Sequence, residues 1–160
     1  MLRAVTLCVV IAVPLASCAR SPEPFAPDRT VWNSSGISDY DFSIIQFSAW
    51  SAPPPVRVVV RSQPVQSATM LCLPPGTEDF CRAWLEARKD RYGPDGLINH
   101  AKSISQLFDV IASTSQSDPK ARIDLVLDPT YGFPASFRFD NPDTDDDEYG
   151  FQITDFVAHQ

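Results

Sequence analysis

The chain has 160 residues, with 20 Asp and Glu against 13 Lys and Arg, for a formal net charge of −7. So acidic a chain, with no basic run, is a poor partner for nucleic acid, whose phosphates demand clustered cations. Its length suits one domain, which would bury about two-thirds of its unfolded surface around a single core.

Arg3 precedes an almost wholly apolar run, Ala4 to Leu15, that ends in Leu15-Ala16-Ser17-Cys18. A membrane span needs about 20 apolar residues, so this run is too short for one. A positive start, a short apolar stretch and a small-residue cleavage site describe a secretory signal, and residues 1–17 are read as that signal peptide. An ordinary signal-peptidase site suits the same small residues, and an uncleaved anchor is a third option; Cys18 in this setting favours lipidation. The four residues resemble the lipobox of bacterial lipoproteins. That resemblance implies several acyl chains, palmitate among them, on Cys18 and an effectively permanent membrane anchor. Residue 19 is Ala, not Asp, which by the sorting rule of lipoproteins implies the outer membrane, facing the periplasm, if the bacterium has two membranes.

Residues 18–30 hold three prolines and read as a semi-extended tether. A single domain is expected over residues 31–160. Tyr40, Phe42 and Ile44 alternate with Asp41 and Ser43, the period of a strand. Val56, Val58 and Val60 repeat the pattern after Pro53-Pro54-Pro55, and Val65 to Leu71 returns as a third strand. A helical insertion is expected at about residues 72–96, with Thr77 as N-cap and Phe80, Ala83, Trp84 and Ala87 on one face. It carries Cys72 and Cys81. Cys8 leaves with the signal and Cys18 is taken by lipid, so outside the cytoplasm this pair reads as a disulfide. The clearest helix starts at Ser103, which forms a capping box with Gln106; Ile104, Leu107, Phe108 and Ile111 make its apolar stripe. Residues 123–128 and 137–140 alternate around a Pro-Thr-Tyr-Gly-Phe-Pro turn, a hairpin signature, and Phe151 to Val157 supplies a last strand. The expected fold is α+β: an antiparallel sheet of five to six strands, one main helix packed on one face, in the order βββ-α-α-βββ.

Several pieces fall together in order: Trp32; Gly36-Ile37-Ser38-Asp39-Tyr40-Asp41-Phe42; Leu107-Phe108-Asp109-Val110-Ile111; Asp128-Pro129-Thr130-Tyr131-Gly132-Phe133-Pro134; and Asp147-Glu148-Tyr149-Gly150-Phe151. Over about residues 31–157, apart from the insertion, the chain resembles a family of bacterial envelope lipoproteins known only as a domain of unknown function. That family carries a Cys-x-Cys after its first strand, where this chain has Ser48 and Trp50. The resemblance implies an address in the envelope and no reaction.

The densest chemical constellation runs from Asp140 to Glu148. Asp143, Asp145 and Asp147 stand at the first three ligand spacings of an EF-hand loop. Glu148 falls where that loop needs Gly, and Thr154 where it needs Glu, so an EF-hand is rejected. Irregular calcium binding through Asp143, Asp145, Asp147 and Glu148 remains, against a solvated acidic loop. No nucleophile elbow, phosphate loop or metalloprotease helix is present. The sequence pattern pairs His100 with no particular residue as a base, and Asp124 with Asp128 reads as a pair of solvated edge positions rather than an acid–base couple. Tyr131 and Phe133 are candidates for an exposed contact surface on the hairpin tip, unless Phe133 folds back into the core. The combined expectation is a lipid-anchored envelope module, binding or structural, held to the membrane by its anchor, with an unidentified protein partner, no cofactor and no reaction. A calcium-binding version and an unrecognised hydrolase are the alternatives.

Overall fold

The computed structural model describes residues 25–88, 96–118 and 120–159. The expected signal peptide, Cys18 and the first part of the expected tether lie outside the described residues. Elements follow as α1 (Thr30–Ser34), β1 (Asp39–Ser48), β2 (Val56–Val60), β3 (Val65–Met70), α2 (Glu78–Glu86), a 3-10 turn (Gly96–Asn99), α3 (Ile104–Ser117), β4 (Arg122–Leu127), β5 (Pro134–Asp140) and β6 (Tyr149–His159).

All six strands form one antiparallel sheet in the order β3-β2-β1-β6-β5-β4. The expected α+β class, with one main helix packed on one face, is therefore corrected: the protein is mostly a six-stranded antiparallel sheet with only small helices. The physical reason lies in the centre of the sheet. β1 and β6, of 10 and 11 residues, pair along nearly their whole length from Asp39↔His159 to Ser48↔Tyr149. No local periodicity reports a pairing between the two ends of a chain. A helical stripe, by contrast, is conspicuous from a dozen residues and draws more weight than its size.

Register sorts the side chains. Tyr40, Phe42 and Ile44 stand level with Val60, Val58 and Val56 on one side and with Ala158 and Ile153 on the other, so one face of the sheet is continuously apolar. Phe137, Phe139 and Phe151 extend it, and Ile104, Leu107, Phe108 and Ile111 of α3 are buried in the same core. The capping box is present: Gln106 N–H donates to Ser103 Oγ, and Ser103 N–H to the Gln106 side chain at 2.9 Å. Tyr40 accepts from the Ile104 N–H at 3.0 Å, tying the first turn of α3 to β1. Burial raises the pKa of this phenol above its usual value, partly countered by its hydrogen bonds to Ile104 and Ser103.

At one end the sheet is closed by aromatic rings. The β1–β6 register shifts between Asp41 and Ser43, with Asp155 at φ +51°, a bulge in β6. Phe156, beside it, stacks on Phe133 at 4.4 Å and also meets Tyr131, Tyr40 and Trp32. The β4–β5 turn packs onto α1 here. A Cβ on Gly132, whose φ is +72°, would come within 2.5 Å of Val31 Cβ, so only glycine fits.

The end of the expected tether runs along the domain. Phe25, Ala26 and Asp28 line a hollow with β4, Pro27 is buried, and Arg29 pairs with Asp109 of α3 at 2.7 Å.

Candidate ligand cleft

The insertion after β3 is fastened at its base. Cys72 and Cys81 form a disulfide, Cα to Cα 5.9 Å, that joins the end of β3 to α2. Cys81 is buried. Of the face expected inward, Phe80 is 59% exposed and Ala83 and Ala87 are exposed, whereas Trp84 is half-buried; Cys81 is the buried residue of α2. The bond selects which stripe of α2 turns toward the sheet, and apolarity alone does not reveal that choice. Thr77 precedes α2 without capping it; its hydroxyl donates instead to the Pro74 carbonyl at 2.8 Å.

Held this way, the insertion stands off the sheet and leaves a cleft of ≈ 420 Å³, within the usual range for a small-molecule site of about 300–1,000 Å³. Trp84, Arg88, His100 and Lys102 form one wall. Leu107 and Val110 of α3 with Phe137 and Phe151 of the sheet form the apolar floor, and Tyr149 and Ser51 stand at the rim. A narrower arm of ≈ 50 Å³ shares Trp84, His100, Lys102 and Leu107 and continues between Ile44, Val56 and Met70. The Arg88 guanidinium lies 4.3 Å above the Trp84 ring. Tyr149 is positioned from both sides, stacked on Phe139 and within 3.2 Å of the Thr114 hydroxyl. A Cβ on Gly150 would strike the Phe137 carbonyl and meet Phe47 at 2.6 Å, so this part of the floor requires glycine.

Residues 25–158 match a family model described as a family of unknown function, DUF6174. The chain belongs to that family. No curated protein and no solved structure matches it.

The DUF6174 domain places the residues singled out in the sequence as follows. Phe133 is 4% exposed and belongs to the aromatic cluster, so the hairpin tip does not present it as a contact surface; Tyr131 is half-buried against Phe156. Both serve packing. The acidic loop is bound up in its own contacts. Asp143 pairs with Lys120, Glu148 with Arg138, and Asp147 accepts from the Asn141 N–H at 3.1 Å; Asp145 is exposed. Among the described residues no group of three or more His, Cys, Asp or Glu is placed to hold a metal ion. Asp143, Asp145, Asp147 and Glu148 therefore do not converge as calcium ligands. Asp128 caps the β4–β5 turn by accepting from the Thr130 and Tyr131 N–H groups, while Asp124 stands opposite Arg138, so the two carboxylates do separate work. Ser48 and Trp50, at the Cys-x-Cys positions, close β1: Ser48 bridges to Ser51, and the Trp50 indole donates to the Asp146 carbonyl at 2.9 Å.

A second polar cluster went unread in the sequence. On the sheet face away from α3, Asp41 accepts from Arg61 at 2.9 Å and Arg57 at 3.1 Å and lies 2.7 Å from His159 Nε2. Desolvation opposes its ionisation and is the largest single influence, but the hydrogen bonds from Arg61, His159 and Arg57 together outweigh it and hold the carboxyl below its usual range.

Proposed function

We propose that this DUF6174 protein is a lipid-anchored, non-catalytic binding module of the cell envelope, with the cleft beside α2 as its binding surface. The observation that carries the reading is the cleft itself: a concavity of ligand size, built by a disulfide-fastened insertion that the sheet does not need for its own pairing. Its described lining holds no carboxylate and no thiol, which favours holding a ligand over transforming one. The anchor follows from Leu15-Ala16-Ser17-Cys18, and with it an outer-membrane, periplasm-facing address in a two-membraned bacterium.

Mass spectrometry of the protein taken from its native envelope tests both parts. The covalent mass is expected to show loss of residues 1–17 and a lipid on Cys18; an unmodified Cys18 would remove the anchor. Under native conditions the wild-type chain is expected to carry a noncovalent small-molecule adduct. Gln46→Trp, an exposed position on the cleft wall, is expected to abolish that adduct; an adduct that survives the substitution would place binding elsewhere.

A further inference from the structure

Building on the reading of the cleft as a ligand site, we infer that its ligand is an anionic amphiphile, a carboxylate or phosphate group joined to a compact apolar body. The first support is how the cations are used. Among the described residues Arg29, Arg57, Arg61, Arg82, Lys120 and Arg138 each pair with a carboxylate. Arg88, Lys102 and Arg122 do not, and two of these three line the cleft.

The second support is what is missing from the wall. In a chain with 20 Asp and Glu, no carboxylate is among the described lining residues of the cleft or of its narrow arm. Two cations with no carboxylate paired to them among the described residues, both half-buried, create a local positive potential that an anion would relieve. Guanidinium offers a planar fork to a carboxylate or phosphate, and ammonium a point charge.

The third support is the floor. Leu107, Val110, Phe137 and Phe151 are apolar, and the narrow arm between Ile44, Val56 and Met70 has room for little beyond a slender hydrocarbon end. An inorganic anion would leave that surface wet, and a neutral hydrocarbon would leave Arg88 and Lys102 without an anion to pair with among the described residues. A molecule with an acidic head and an apolar body satisfies both.

Calorimetric titration of the full-length protein in phosphatidylcholine nanodiscs, with empty nanodiscs as the blank, tests this with four probes of one shape: 2-naphthoate, 2-naphthyl phosphate, 2-naphthalenemethanol and 2-naphthylmethylamine. At least one anion is expected to bind ten-fold or more tightly than the alcohol, and the tighter anion identifies the head group. Arg88→Gln and Lys102→Gln are each expected to weaken that anion five-fold or more without changing the alcohol or the melting temperature. Arg122→Gln, at the unpaired cation outside the cleft, is expected to change nothing. If the alcohol or amine binds as tightly as the anions, or if the two cleft variants have no effect, the charge assignment falls while the cleft stands as a binding site. If none of the four binds, the cleft reading falls with it.

Discussion

Phe133 shows how far a side chain's surroundings exceed its sequence neighbourhood. It lies in a turn signature, Asp128 to Pro134, where an aromatic ring invites reading as an exposed anchor. The bulge at Asp155 brings Phe156 face to face with it, and Trp32 from α1 meets it edge-on at 6.5 Å. Removing this ring strips an aromatic partner from residues of two separate segments, Trp32 of α1 and Phe156 of β6. Phe133→Ala is expected to cost about 3–5 kcal/mol, the range for a buried aromatic truncated in a core that cannot close the gap, seen as a lowered denaturant midpoint with an unchanged slope. A loss under about 1 kcal/mol would mean the ring is dispensable to the fold.

Among the elements, α2 is the one whose position depends on a covalent bond. Its nine-residue sequence separation between Cys72 and Cys81 corresponds in the chain-entropy account to roughly 2.5–3 kcal/mol. Replacing both cysteines with Ser is expected to lower stability by up to that amount. Amide exchange should accelerate first in α2, with β1 and β6 protected as before; equal acceleration everywhere would show that the insertion is integral to the sheet. Strand positions were the most legible elements, because alternation at Tyr40, Phe42 and Ile44 or at Ile123 and Leu125 is written within a few residues. The helix beginning at Ser103 was legible from its cap and its stripe. The cleft was not: Arg88 lies just past α2 and Lys102 just before α3, and only the bond at Cys81 and the path of the chain bring them to one wall. His100 and Trp84 were visible as isolated residues, without any sign that they share it.

The whole sheet has two faces of opposite character, one apolar and buried in the core, and one carrying Asp41, Arg57 and His159 of β1, β2 and β6, with Arg61 just past β2. Asp41 has its carboxyl held below the usual range, so its contribution to stability is present above the unfolded-state pKa near 4 and is lost as pH falls through the lower folded-state value. Asp41→Asn is expected to flatten the loss of stability below pH 4 and to cost about 1 kcal/mol near neutrality, a modest figure because the arginines are partly exposed and screened. An acid-unfolding curve identical to wild type would exclude the network from that role. The fold class was the part least legible, since period-two runs announce strands without naming their neighbours.

β6 is inserted between β1 and β5, joining a three-stranded group, β3-β2-β1, to the β5-β4 pair, which otherwise do not meet. Residue 39 waits for residue 159, so a chain emerging from the ribosome holds the edges of β1 and β5 open until β6 is made. Pairings of such span are slow to form and expose unsatisfied edges meanwhile. Completion of the sheet is thus a single event that waits on β6, and any truncation that removes β6 leaves two strand groups with no seam between them.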